Sequence, residues 1–169
     1  MTVRLTTVAP SPFRPAAEVA LLLRERLGVE AAVVIDEAVF FVPPDDVGTT
    51  ARRLRDDPAL AFDYLRCLSA VDYVDYIEVV YHLLSLSQRQ KAVMKVRLVE
   101  PDLTVDSVVG VWRGADWHER EAADLFGVAF RGHPNPRRLL LPDEFEGFPL
   151  RKSYPLAPLP SEDVGEEEQ

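Results

Sequence analysis

The sequence predicts a single domain that contains both α-helices and a β-sheet, followed by a long irregular C-terminal part. The chain has 169 residues, of which 47% are hydrophobic. That is enough to bury one core of ordinary size and leaves little for a second. Two stretches near the N-terminus have helical periodicity, whereas the middle of the chain alternates as strands do. Little regular periodicity is visible from residue 106 to residue 160.

Two helices are predicted in the first third of the chain. In "RPAAEVALLLRERLG", Pro15 suits the first helical position, apolar residues recur with a helical period, and Gly28 is a typical stop. A second helix is predicted in "DDVGTTARRLRDD", which Pro58 ends. Residues 1–14 are expected to be a flexible N-terminus, and residues 15–146 to form the folded domain.

Five strands are predicted before and after the second helix. "AAVVID" and "EAVFFVPP" read as two short strands joined by a tight turn at Asp36 and Glu37. Three longer strands are predicted in "FDYLRCLSAVDY", "YIEVVYHLLS" and "KAVMKVRLVE", which are rich in β-branched and aromatic residues. Cys67 and His82 lie in these strands, where we expect a reduced core thiol and a hydrogen-bonded histidine.

The charge and the cysteine count exclude several classes of protein. The net charge is -9, and the last nine residues, "SEDVGEEEQ", carry five acids and no base. Residues 161–169 are therefore expected to be a disordered acidic tail, and a nucleic-acid partner is not expected because backbone binding needs a basic face. One cysteine can form neither an internal disulfide nor an iron–sulfur cluster on this chain alone. No apolar run approaches the roughly 18 residues of a membrane span, which predicts a cytoplasmic protein.

A third helix is predicted in the charged stretch "HEREAADLFG". Asp116 and Glu119 match a capping box, and Gly127 suits the left-handed position after the last turn, so the helix is expected to run from Trp117 to Phe126. At 100° per residue, Glu121 falls on the apolar face between Trp117 and Leu125. Arg120 and Asp124 flank the same side.

Buried charges on this helix need partners, because an unpaired buried carboxylate costs several kcal/mol. Residues 116–155 contain seven acids and six bases. This near-balance predicts an ionic lattice between the helix and the arginines that follow it. Replacing Glu121 by Gln should then strand a buried guanidinium.

A catalytic interpretation of the same stretch remains open. Glu121, Asp124 and His133 could form the acid–base or metal site of a free-standing enzyme. The spacing argues against it, because Ala122 stands where a zincin helix needs a second histidine, and Glu119 and Glu121 point about 200° apart. No dinucleotide fingerprint, phosphate loop or nucleophile elbow occurs. A third possibility is a soluble adaptor that binds one partner through its basic loops.

Residues 119–156, "EREAADLFGVAFRGHPNPRRLLLPDEFEGFPLRKSYPL", resemble the signature of the thirty-kilodalton subunit of respiratory NADH:quinone oxidoreductase, complex I. "LSAVDY", "EVVYHLLS" and "VVGVWRGADWHERE" are also similar to that family, so the resemblance spans roughly residues 60 to 160. It implies an α+β domain with a mixed β-sheet and packed helices. Phe148, Ser153 and Pro136 stand where the family usually has His, Asp and Leu.

The resemblance also implies a role and partners. The chain would be a non-redox structural subunit of the hydrophilic arm, on the cytoplasmic side of the membrane, with no catalytic, cofactor or metal site of its own. NADH-derived electrons, FMN, iron–sulfur clusters and quinone would belong to partner subunits. The partners would be the quinone-site subunit, which is the forty-nine-kilodalton type, and the neighbouring iron–sulfur subunits. The same module occurs in membrane-bound hydrogenases and F420H2 dehydrogenases, so those complexes are alternatives.

The predicted structural and interface residues follow from the same motif. They belong to the charged helix, to the loops after it and to residues 147–160, which are expected to form an extended, proline-rich segment that binds the partner. They are Glu119, Arg120, Glu121, Asp124, Gly127, His133, Arg137, Arg138, Gly147, Pro149, Arg151, Lys152, Tyr154 and Pro155.

Overall fold

Three helices pack against a five-stranded sheet in the computed structural model, which describes residues 12–155. The helices are α1 (Ala16–Leu27), α2 (Val47–Asp56, preceded by a 3-10 turn at Pro44–Asp46) and α3 (Ala115–Phe126). The strands are β1 (Ala31–Val34), β2 (Glu37–Phe41), β3 (Tyr64–Asp72), β4 (Ile77–Ser85), β5 (Gln90–Leu98), β6 (Thr104–Asp106) and β7 (Ala129–Arg131).

The main sheet has the strand order β1-β2-β5-β4-β3. Strands β2 and β5 run parallel, with Phe40 opposite Met94, and the other neighbours are antiparallel. Strands β6 and β7 form a separate parallel pair next to α3. The fold is therefore α+β with a mixed sheet, in agreement with the prediction.

The core lies between the helices and one face of the sheet. Alternate residues of the central strands, such as Tyr81 and Met94, are fully buried on this face. Leu23 of α1 and Leu54 of α2 are also fully buried and belong to the same cluster. The Trp112 indole N–H donates to the Phe62 carbonyl at 2.8 Å and so fixes the chain just before α3.

The two N-terminal helices and the three long strands are confirmed, with small shifts at their ends. Pro15 precedes α1 instead of opening it, and Gly28 ends it in the left-handed conformation at φ 74°. The first tight turn lies at Ile35 and Asp36, because Glu37 already pairs with Val34. Strands β6 and β7 were not predicted, since three residues are too few to show a period.

The structure differs from the predictions for the two strand side chains singled out by the sequence. The Cys67 thiol is free and only half-buried, at a β-bulge between Leu65 and Cys67, so the prediction of a core thiol is wrong. His82 is also half-buried, and its Nδ1 lies 3.7 Å from Glu37 Oε2, which is too far for the predicted hydrogen bond.

No helix within residues 12–155 is long and apolar enough to cross a membrane. Most of the expected flexible N-terminus and the whole acidic tail, 161–169, lie outside the described residues.

Candidate functional site

Helix α3 carries most of the predicted site residues, and it begins earlier than its sequence suggested. It starts after Gly114, so Asp116 lies inside the first turn and gives no side-chain cap. The prediction of a capping box formed by Asp116 and Glu119 is therefore wrong. At its other end Gly127 has φ 74°, and its N–H donates to the Ala123 carbonyl, as predicted.

Glu119 projects from α3 into the core. Its side chain is fully buried, and its Oε1 accepts the Val108 N–H at 2.7 Å, which ties α3 to the loop after β6. Its Oε2 accepts no hydrogen bond from residues 12–155. Burial raises the pKa of Glu119 to about 7, although hydrogen bonds from Ser107 and Val108 act in the opposite direction, and the nearby charge of Asp116 raises it further.

His133 lies next to this carboxylate as a neutral imidazole. Its Nδ1 accepts the Asn135 N–H at 3.0 Å, so the ring proton is on Nε2. Nε2 then donates to the Asp116 carbonyl at 3.2 Å and lies 3.9 Å from Glu119 Oε2. In this tautomer His133 supplies no positive charge, which agrees with the raised pKa of Glu119.

Asp124 and Arg120 hold the irregular segment after β7 through its backbone. Asp124 Oδ2 accepts N–H groups of Leu139 at 2.6 Å and Leu140 at 2.8 Å. Arg120 donates to the carbonyls of Arg137 and Arg138, at 2.8 and 3.0 Å. Carboxylate and guanidinium thus replace the missing ladder of backbone bonds.

The prediction of an ionic lattice between α3 and the arginines that follow it is wrong. The contacts of Arg120 and Asp124 with the segment 137–141 are hydrogen bonds to backbone groups, and the guanidinium of Arg138 donates to the Pro142 carbonyl. Arg131 pairs with Asp106 and Asp45, not with α3. Sequence reasoning missed this because side-chain charges are visible in a sequence, whereas available backbone groups are not.

Residues 147–154 close over the C-terminal end of α3. The Arg151 guanidinium donates to the Phe126 carbonyl at 2.7 Å, pairs with Glu100 and lies 4.9 Å from the centre of the Phe148 ring. A Cβ on Gly127 would lie 2.6 Å from that ring, so only glycine allows Phe148 to approach.

Three of the remaining C-terminal residues of the predicted set, Gly147, Lys152 and Tyr154, have structural contacts of their own. Gly147 has φ 84°, and a Cβ there would lie 2.9 Å from the Tyr154 ring. The Lys152 N–H donates to Asp72 Oδ2 at 2.8 Å. Pro149 is half-buried in a turn, and Pro155 is exposed.

Glu121 does not lie where the sequence placed it. It is exposed, and Glu119, two residues earlier, takes the core-facing position, because α3 packs its Ala115, Glu119 and Ala122 stripe inward. Replacing Glu121 by Gln therefore strands no guanidinium. Glu121 also lines a different groove from Asp124 and His133, so the three do not form one reaction centre. Within residues 12–155 no group of three or more His, Cys, Asp or Glu side chains is arranged to hold a metal ion.

Comparison with known proteins places these features in a family. The family model for the respiratory-chain NADH dehydrogenase 30 kDa subunit matches residues 40–159. An NADH-quinone oxidoreductase subunit from Roseiflexus sp. (strain RS-1) is 46% identical over 69% of this chain and 68% of its own length. The corresponding subunit from Saccharopolyspora erythraea is 43% identical over 87% of this chain and 63% of its own length. The matched part thus spans about two thirds of those relatives.

Two solved structures have the same fold. The trypsin-resistant fragment (1-134) of Nqo5 superposes with a TM-score of 0.59 at 25% identity, over 71% of this chain and 98% of the fragment. A protein of the membrane-bound sulfane sulfur reductase, an archaeal respiratory membrane complex, superposes with a TM-score of 0.70 at 26% identity, over 83% of this chain and 85% of that one. Together with the family match over residues 40–159, these likenesses show that the chain belongs to the family of the respiratory-chain NADH dehydrogenase 30 kDa subunit.

Proposed function

We propose that this chain is a structural subunit of a proton-translocating NADH:quinone oxidoreductase. It would lie in the hydrophilic arm on the cytoplasmic side and reach the membrane only through the complex. It would pack against the quinone-site subunit and the neighbouring iron–sulfur subunits. Flavin, iron–sulfur clusters, NADH and quinone would bind to those partners and not to this chain.

One observation carries the proposal: charged side chains of the family signature hold a backbone in place. Asp124 accepts three consecutive N–H groups, and Arg120 donates to two consecutive carbonyls. Both contacts shape the segment 137–141, and they occupy the carboxylate and the guanidinium with backbone groups. Such an arrangement suits a surface presented to a protein partner better than it suits catalysis.

Co-purification tests this function. A tagged full-length chain expressed in its host should elute from mild detergent in one large assembly that reduces quinone with NADH. Deletion of its gene should abolish that assembly. A chain that runs alone and carries its own turnover would contradict the proposal.

The likeness to the sulfane sulfur reductase protein supports a second candidate with the same structural role. In that case the chain would serve a related membrane complex, such as a hydrogenase or an F420H2 dehydrogenase, with another electron donor. The donor accepted by the purified assembly separates the two candidates, because quinone reduction by NADH is specific to the first.

A further inference from the structure

Strand β3 forms one edge of the main sheet. Its inner side pairs with β4, and within residues 12–155 no strand pairs with its outer side. The outer side of an edge strand carries unpaired N–H and C=O groups, which can pair with a strand of another chain. The β-bulge between Leu65 and Cys67 interrupts the edge near its start. The regular part therefore begins at Cys67.

A groove of about 300 Å³ runs along this regular edge. One wall is formed by residues 67–70 of β3. Successive strand residues point to opposite faces of a sheet, so a groove that touches four consecutive residues follows the edge of the strand. The opposite wall is a stripe of α3 with the spacing i, i+3, i+4, i+7, formed by His118, Glu121, Ala122 and Leu125.

The groove is mainly apolar and contains one unpaired carboxylate, that of Glu121. Phe126 and Leu150 add apolar surface, and Leu150 is 53% exposed. The Glu121 carboxylate is exposed and forms neither an ion pair nor a hydrogen bond with any side chain or backbone group of residues 12–155. Its neighbours on α3 differ, since Arg120 and Asp124 both hold the backbone of the segment 137–141.

We propose that this groove receives a β-strand of a partner protein, which extends the main sheet along the outer edge of β3. The strand would place apolar side chains against Leu125 and Leu150 and a lysine or arginine opposite Glu121. This inference rests on the proposed function, because it assigns the surface through which the subunit docks in its complex.

A second copy of this chain fits the groove less well than a basic partner does. Pairing of two β3 edges around a two-fold axis would repeat every groove charge, so that two Glu121 carboxylates would enter the same interface. Each copy also carries a net charge of -9. The unpaired carboxylate therefore favours a partner strand of opposite charge.

Hydrogen exchange of the full-length chain, free and within the purified complex, tests the pairing. Alternate amides of residues 67–71 should exchange rapidly in the free chain, where they face solvent. In the complex they should exchange at least about tenfold more slowly, because exchange then requires opening of the added strand. Amides of β3 that exchange equally in both states would overturn the inference while leaving complex membership intact.

The single cysteine gives an independent measurement at the same place. Cys67 is the only cysteine of the chain and lines the groove, so maleimide should label the free chain and fail to label the complex. Protection of the thiol without slower amide exchange would mean docking through side chains only, and it would also overturn strand pairing. Protection in the free chain, together with a dimeric mass, would assign the groove to a second copy and overturn the basic partner.

Charge reversal tests the predicted chemistry of the partner. Glu121→Lys should reduce the yield of assembled complex, whereas Glu25→Lys, an exposed substitution on α1, should leave it at the wild-type level. Equal yields would refute the role of Glu121. A wild-type chain that enters no assembly at all would overturn both the proposed function and this inference, and so differs from the other outcomes.

Discussion

Glu119 shows how a single buried carboxylate can organise a region without an ion pair. One of its oxygens accepts the Val108 N–H, and the neighbouring His133 is a neutral donor to the Asp116 carbonyl. Its pKa is raised from 4.5 to about 7, so below that pH the acid is mainly protonated. Burial explains this direction, since an ionised carboxylate loses its hydration in the core.

The first prediction concerns the pH dependence of stability. Between pH 4.5 and about 7 the folded chain binds more protons at Glu119 than the unfolded chain does. The free energy of unfolding should therefore fall as the pH rises through this range, by about 3 kcal/mol for a pKa difference of this size. Glu119→Gln should lack this pH-dependent contribution. Urea unfolding at several pH values should therefore show that the free energy of unfolding of the variant increases relative to that of the wild type as the pH rises. Parallel profiles for the two proteins would contradict the assignment, and Glu121→Gln, on the exposed face, is the control.

The second prediction uses two glycines with the same backbone conformation. Gly28 and Gly127 both have φ 74°, but a Cβ meets open space at Gly28 and the Phe148 ring at Gly127. Gly28→Ala should cost about 1 kcal/mol, the usual penalty of a left-handed alanine. Gly127→Ala should cost more and should also displace Phe148 and Arg151. Thermal unfolding measures the difference, and limited proteolysis should cut residues 147–152 only in the Gly127 variant; equal behaviour would show that Phe148 moves aside freely.

At the scale of the element, α3 joins the sheet to the irregular segment that follows it. Its inward stripe packs on the core, while Arg120 and Asp124 project toward the backbone of residues 137–141. The C-terminal end of the helix at Gly127 could be predicted because this kind of cap has a local signature. The inward stripe was misjudged, because Glu119 takes a core position that hydrophobic periodicity assigns to an apolar residue. Only its tertiary partners in the loop after β6 explain that choice, and they are not visible from helical spacing.

The third prediction concerns the hydrogen bonds by which Asp124 of α3 fixes the segment 137–141. Asp124→Ala removes the acceptor of the Leu139 and Leu140 N–H groups, and hydrogen bonds to a charged group contribute about 1.5 to 3 kcal/mol. A loss of about 3 kcal/mol in the free energy of unfolding is expected, with early proteolysis at residues 137–141. Asp143→Ala, at an exposed aspartate two residues after this segment, should stay within about 0.5 kcal/mol of the wild type. Equal stability of the two variants would mean that contacts other than those of Asp124 hold residues 137–141 in place.

At the scale of the molecule, a conventional core supports a C-terminal part with little secondary structure of its own. Periodicity predicted the core helices and long strands, because their core-facing residues recur with the period of a helix or a strand. The order of the strands could not be read from the sequence, since the parallel pairing of β2 with β5 joins elements that are far apart along the chain. The course of residues 132–155 depends on side-chain contacts with α3, Asp72 and Glu100, which no local pattern specifies.

The last prediction separates folding from assembly. Residues 147–154 contact the domain through hydrogen bonds from Leu150 to Leu125, Arg151 to Phe126 and Lys152 to Asp72, and through the ion pair of Arg151 with Glu100. At about 1 kcal/mol each, removing these four contacts should cost about 4 kcal/mol, which a domain of about 5 to 15 kcal/mol survives. A variant that ends at Glu146 should therefore remain folded by circular dichroism but should not enter the complex, because it lacks Leu150 of the proposed docking groove and the segment 147–160 that the family resemblance implies in partner binding. A variant that ends at Pro160 is the matched control and should assemble normally. If the shorter variant assembled as well as the control, the partner contact would have to lie before residue 147, and the proposed strand pairing at β3 would have to form without Leu150 and the rest of residues 147–160.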